Sequence, residues 1–355
     1  MGQGVGVGIV NPILFSLVAD MTIESERGTA YGILCFTQSM GGTVGGWLST
    51  VISAHSSVQL LPGFSVAGWR VSCFGLCLTG TLLGLAMMCF GRDPKPIDDD
   101  DGNERPTLAA HIKVLRIPTF QVIVAQGCFG NLPWAAWNFS TLWLELNCFS
   151  NTMAANIVAS YTFAQAVGQP FGGWLGDWWA RRSPDYGRPL LSVLSVGLGI
   201  PCVFAFFVLL PQGQEGELGA AVPYIALAFA FGFAMSWTLA GTNAPIYSEI
   251  VPPAQRTLVF GMDAAFEGTA GSFGAPIAGW VAQHVFNYDT DAADASSAGG
   301  GCDLANAHSL GRAVTWTMMV PWAICMAIYC LLLVTYKKDR LRKPAGDGLG
   351  RPLLQ

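Results

Sequence analysis

Gly172-Gly173-Trp174-Leu175-Gly176-Asp177-Trp178-Trp179-Ala180-Arg181-Arg182-Ser183-Pro184-Asp185-Tyr186-Gly187-Arg188-Pro189 decides how the chain is read. The stretch is a charged, glycine-punctuated turn between two long apolar runs. The first run ends at Asp177 and the second opens after Arg188. An apolar helix that hands over to three arginines in a short turn is the pattern of a loop between membrane spans, on the side where positive charge collects.

Working outward, nine runs are apolar for long enough to cross a hydrocarbon layer of ~30 Å, which takes about 20 residues of helix. They cover 2–19, 28–54, 71–91, 117–144, 152–176, 189–210, 221–248, 257–283 and 313–336. Composition agrees: 52% of residues are hydrophobic and 12% charged, against about 25% charged in soluble domains. The chain is therefore expected to be an all-α, polytopic transmembrane helix bundle whose main partner is the lipid bilayer. The net charge of −5 gives no reason to expect nucleic acid as a partner.

Lysine and arginine fall almost entirely between alternate runs. Sixteen lie on the face that holds Arg27, the 92–116 segment, Arg181, Arg182, Arg188, Arg256 and the residues from Lys337 onward, against Arg70 and Arg312 on the other. The positive-inside bias places that face and the C-terminus in the cytoplasm; which membrane is involved stays open. Eight of the ten cysteines sit in or beside apolar runs, where a thiol is expected to act as a small hydrophobe. Cys148 and Cys302 share the outer face, which leaves a disulfide between them open. The sequence shows no zinc-type Cys/His spacing, so neither a metal nor a cofactor is expected.

Within the runs, Gly2, Gly4, Gly6 and Gly8, and again Gly41, Gly42, Gly45 and Gly46, place small residues four apart, where helix backbones approach closely. The fourth run mixes Asn131, Trp134, Trp137, Asn138 and Trp143, with Pro133 expected to bend it. Between the third and fourth runs, Asp98 to Asp101 form a solvated acidic stretch, and Thr107 to Arg116 has the spacing of a short surface helix.

Arg27 is followed by Gly32, Gly42 and Gly45 at the same offsets at which Arg256 is followed by Gly261, Gly271 and Gly274. Asn11-Pro12-Ile13 echoes Asn243-Ala244-Pro245-Ile246. The two arginines are 229 residues apart, and parallel repeats of this kind mark the two halves of one class of transporter.

Gly173 and Asp177, with Arg181, Arg182, Gly187 and Arg188, resemble the loop signature of the major facilitator superfamily, Gly-x-x-x-Asp followed by basic residues and Gly-Arg. The segments Ile117 to Gly127 and Glu249 to Pro252 look like the plant and algal members of its spinster-like branch. The resemblance implies a twelve-helix fold of which nine helices are present. The repeat then predicts that about 110 residues, three helices, precede the chain. It divides the chain into a partial N-terminal half at 1–91 (helices four to six), a cytoplasmic linker at 92–116, a C-terminal half at 117–337 (helices seven to twelve) and a tail at 338–355.

The function implied is secondary active or facilitative transport of a small organic or amphipathic, lipid-like solute by alternating access. The resemblance nominates Asn11, Asn131, Trp134, Trp137, Asn138, Ser236, Trp237, Thr242 and Asn243 for the substrate cavity, with Gln165 and Gln169 as further candidates. Asp263 and Glu267 are ionisable groups inside a span and one turn apart, which makes them candidates for carrying a coupling proton. Gly173, Asp177, Arg181, Arg182, Arg188 and Glu249 form an expected conformational latch, with Asp177 facing the start of helix eleven. The alternatives are a transporter-derived membrane protein that does not transport and an integral-membrane enzyme. The second lacks a catalytic constellation, since all four histidines fall in loops or at span edges.

Overall fold

The computed structural model describes residues 2–53, 58–61, 64–91, 113–211, 218–291 and 302–340. The acidic stretch at 98–101, most of the 92–116 linker and the tail beyond 340 lie outside the described residues. Among the described residues, nine helical spans follow the nine apolar runs in order, with one short antiparallel hairpin, β1 (Val58–Leu61) and β2 (Phe64–Val66), as the exception to an all-helical architecture.

The spans are α1 (Gly2–Met21), α2 (Arg27–Ser53), α3 (Gly68–Phe90), α4 with α5 (Pro118–Trp137 and Ser140–Leu146), α6 (Asn151–Arg182) and α7 (Gly187–Phe204, continued by a π-turn at Ala205–Leu209). They continue with α8 and α9 (Leu218–Met235 and Ala244–Ile250, joined through a π-turn at Leu239–Asn243), α10 with α11 (Arg256–Gly271 and Gly274–His284) and α12 (Leu304–Asp339). Four of these segments are each apolar and long enough to cross a bilayer on hydropathy alone: Gly68–Phe90, Gly187–Leu209, Gly219–Ile250 and Leu304–Asp339. The rest are shorter, interrupted or more polar, as spans lining a polar interior are.

Two compact units result, Met1–Ile33 with Glu104–Pro352 and Leu34–Asn103 with Leu353–Gln355. In the smaller, the apolar side chains of α3 are largely exposed, Leu83 and Phe90 among them, and Ser72 Oγ donates to Ser49 O at 3.2 Å.

In the larger unit, α6 packs along α8 through glycines at every fourth residue. A Cβ on Gly168 would stand 2.6 Å from Phe233 O, one on Gly172 2.5 Å from Trp237 Cα, and one on Gly176 2.5 Å from Gly241 O. Three glycines at i, i+4 and i+8 thus face three residues with the same spacing, and the backbones touch where side chains would hold them apart. Next to that contact, Trp137 packs among Tyr161, Phe206, Phe207 and Phe231 with ring centroids 4.6–6.0 Å apart. Such aromatic clusters supply large apolar area and fixed ring geometry.

A disulfide joins Cys148, just beyond α5, to Cys302, at the foot of α12. It settles the pairing that the sequence left open. Nearby, Asp303 caps α12 by accepting from the amide of Asn306 at 3.0 Å.

Candidate functional site

A cavity of about 200 Å³ opens among α4, α6, α7, α8, α10 and α12, lined by Gln126, Asn131, Trp134, Gln165, Gln169, Ser236, Asn243, Glu267, Trp322, Cys325 and Tyr329 with smaller residues between. The local structure explains how so many polar groups point inward. The π-turn at Leu239–Asn243 adds a residue to the helical turn and redirects the side chains after it, a device common at functional sites. It brings Asn243 to Tyr329, whose hydroxyl donates to Asn243 Oδ1 at 3.0 Å.

Glu267 reaches the cavity from α10 through a gap in α4. A Cβ on Gly127 would overlap the Glu267 carboxyl group, so only glycine leaves room there. Asn131 Nδ2 donates to Glu267 Oε2 at 2.9 Å. The other oxygen, Oε1, is buried and receives no hydrogen bond among the described residues. Asp263, one turn earlier, lies within hydrogen-bonding reach of Glu267 and accepts from the Tyr247 hydroxyl. The lining also holds the Gln126 amide, whose Oε1 accepts from Cys325 Sγ at 3.3 Å while its nitrogen is buried without an acceptor.

Of the residues predicted for the cavity, Asn131, Trp134, Gln165, Gln169, Ser236 and Asn243 are brought together, and Asn11, Trp137, Asn138, Trp237 and Thr242 are not in its lining. Trp137 and Trp237 are packed into aromatic and apolar neighbours. Thr242 is buried with its hydroxyl donating to Arg188 O at 2.8 Å. Asn138 caps the broken end of α4, and Asn11 is exposed on α1. The error has one physical cause: a polar residue in a span has a favourable place at a helix break or π-turn as well as in a cavity. Gln126, Trp322, Cys325 and Tyr329 were missed. Helical spacing carries the signal, since Trp322, Cys325 and Tyr329 recur at i, i+3 and i+7 on one face.

A second cluster lies at the face that carries the lysines and arginines. Asp177 is buried at the end of α6. Its Oδ1 accepts from the Gly28 amide at 2.9 Å and its Oδ2 from the Thr29 amide at 2.7 Å and hydroxyl at 2.8 Å. The carboxylate therefore caps α2 rather than the helix that begins at Arg256. The correction follows from the crossing of α6 with α2: a Cβ on Gly28 would stand 2.7 Å from Asp177 Oδ1. Arg188 completes the group, with Nη2 3.0 Å from Asp177 Oδ1 and Nε 3.2 Å from Glu249 Oε1. Both pairs are buried, which makes them costly to break.

Arg181 donates to Ser25 O at 3.0 Å, while Arg182 stacks on Trp178, 3.7 Å from the ring centroid. Beside them Arg256 pairs with Asp20. Arg340, in the turn after α12, pairs with Glu24 and donates to Pro184 O. Burial opposes the charge on Glu24, yet the hydrogen bond and charge of Arg340, with Arg27 and Arg188 behind it, hold its carboxyl below the ordinary glutamate range. The latch residues Gly173, Asp177, Arg188 and Glu249 are thus brought together, and Arg181 lies at their edge.

A family model described as Major Facilitator Superfamily matches residues 1–147 and 132–355. Among solved structures, the crystal structure of a bacterial homolog to the human lysosomal transporter Spinster, inward-facing and unoccupied, superposes with a TM-score of 0.54 at 18% identity, covering 96% of this chain and 71% of that one. The proton:xylose symporter XylE bound to 6-bromo-6-deoxy-D-glucose gives a TM-score of 0.49 at 15% identity, with 90% of this chain and 67% of that one covered. No curated protein sequence matches. The structural likeness shows the fold, and the family match extends over the whole length: the chain belongs to the major facilitator superfamily and is an integral-membrane transporter rather than an enzyme.

Proposed function

We propose that the chain is a transporter of the spinster-like branch that moves a small organic or amphipathic solute by alternating access, with the cavity at Glu267 as its solute site. One observation carries the reading: a carboxylate with an unpartnered oxygen opens onto a cavity walled by Trp134, Trp322 and Tyr329. Concave sites with aromatic walls and a few converging polar groups are where small molecules bind. At about 200 Å³ the space is below the roughly 300–1,000 Å³ usual for drug-sized ligands. It suits a small solute or the head group of a longer amphiphile.

Asp263 and Glu267 carry the coupling proton in this reading. They sit one turn apart, a carboxyl pair inside a span with Tyr247 and Asn131 as hydrogen-bond partners. The Asp177 cluster is the latch that holds the arginine-rich face closed. Two observations support placing that face in the cytoplasm: the distribution of lysine and arginine and the Cys148–Cys302 disulfide at the opposite end of the spans, since disulfides persist on the non-cytosolic side.

The full chain reconstituted in liposomes, with the interior loaded with a pH-sensitive dye, tests the coupling. Glu267→Gln is expected to leave the fold intact and uncouple solute flux from proton movement. Unchanged proton-dependent flux in that variant would show that the carboxyl does not carry the proton.

A further inference from the structure

We propose that the Glu267 cavity selects an organic cation: an amine or quaternary ammonium head carrying an oxygen one or two atoms away. The inference rests on the reading of this cavity as the solute site and adds the chemical class of the solute.

Charge is the first argument. Glu267 is the one acid in the lining, and no lysine, arginine or histidine accompanies it among the described residues. The titratable groups that face it from its own and neighbouring helices are Asp263 on α10, Tyr247 on α9, Cys128 on α4, and Cys325 and Tyr329 on α12. All of these are neutral or anionic, so the protein supplies no counter-charge. A carboxylate taken out of water needs one. The solute or a proton must supply it.

Geometry is the second. Asn131 holds Oε2 at 2.9 Å and leaves Oε1 buried with no donor, and Gly127 makes the room in which that group sits. Trp134 and Trp322 meet edge to face, 5.3 Å between centroids, and both line the cavity with Tyr329. Aromatic faces beside a carboxylate are the surroundings that a desolvated ammonium group prefers. The Gln126 amide nitrogen is a buried donor without an acceptor. An oxygen on the solute would satisfy it, which is why the class includes an adjacent hydroxyl, ether or carbonyl. Because the cation and a proton are alternatives at one carboxylate, binding of the first releases the second, and exchange of solute against protons follows without a further site.

Three probes of one skeleton isolate the charge: 2-phenylethylamine (cationic at neutral pH), 2-phenylethanol (neutral) and phenylacetate (anionic). Binding to the full chain in lipid nanodiscs is measured calorimetrically. The amine is expected to bind at least tenfold more tightly than the alcohol, and phenylacetate more weakly than either. Glu267→Gln should erase the preference for the amine over the alcohol, and Glu267→Asp should restore most of it. Thermal unfolding of each variant checks that it is folded. If the three probes bind equally and Trp134→Ala weakens all of them, the cavity is a solute site and the cation inference is overturned. If none binds at millimolar concentration, both readings fail. A charge preference that survives Glu267→Gln also overturns the inference, because the selecting group then lies elsewhere.

Discussion

At the scale of single residues, the contact between Gly127 and Glu267 is the most constrained point in the cavity. Gly127 lies in α4, where glycine costs about 1 kcal/mol relative to alanine, so its presence there needs a reason. The reason is spatial, because the Glu267 carboxyl occupies the place a Cβ would take. Gly127→Ala is expected to cost about 1–3 kcal/mol, the usual penalty for overpacking, and to push Glu267 away from Asn131. Glu267→Ala in the same chain should relieve most of that cost, since neighbouring residues do not contribute additively. Thermal melts of the two single variants and the double variant in detergent measure the coupling. Additive losses would mean that the two groups do not meet.

At the scale of elements, α6 ties the larger unit together, and its role was only partly legible in the sequence. The nine runs gave the spans, because a hydrophobic stretch of membrane length has few other uses. The interruptions were harder to read. Pro133 marks the fourth span as irregular, yet the helix breaks at Asn138 and Phe139; Gly241 and Pro245 mark the seventh span as irregular, but they do not say that Leu239–Asn243 forms a π-turn. That turn fixed the fate of two nominated residues, carrying Asn243 into the cavity and Thr242 to Arg188, while Ser236 and Trp237, just before it, part as neighbours on a helix do. Cavity membership depends on the rotation of each helix, which a single run of apolar residues does not set. The glycine ladder on α6 was visible in part as Gly172 and Gly176, but its partner was not, because close approach requires two backbones and sequence spacing describes one. Gly172→Leu should therefore separate α6 from α8 and reduce the yield of folded protein sharply, while Gly41→Leu on α2, where a Cβ meets nothing, should not. Fluorescence-detected size exclusion of the two variants compares them directly, and equal loss would show that the ladder is not what holds the crossing.

For the molecule as a whole, the charged face joins α1 and the start of α2 to the later helices through groups that include Asp177 with the start of α2, Arg256 with Asp20, and Arg340 with Glu24. Asp20 and Glu249 occupy the same place in the 229-residue repeat, as do Arg27 and Arg256. Arg256 pairs across to Asp20, while Arg188 holds Glu249, so each repeat places its acid in the same seam. These groups differ in how they respond to acid. Glu24 is held in its charged form more firmly than a free glutamate, so its contribution is full above the ordinary glutamate pKa of about 4.3. It is lost only as pH falls through the lower value of the folded state. The Asp177 group is buried and hydrogen-bonded to backbone amides, so substitution is the direct way to break it. Asp177→Asn keeps the shape but removes the charge that faces Arg188. Breaking a buried pair costs about 3–5 kcal/mol, so amide exchange at Gly28 and Thr29, whose N–H groups it holds, should quicken by roughly a hundredfold or more at neutral pH. Glu24→Gln should leave those two amides nearly as protected as in the parent chain and loosen only the 22–26 turn. Exchange followed by mass spectrometry separates the outcomes. If Gly28 and Thr29 remain protected in Asp177→Asn, the latch is held by packing at Gly28 and Gly173, and the carboxylate is a passenger at that crossing.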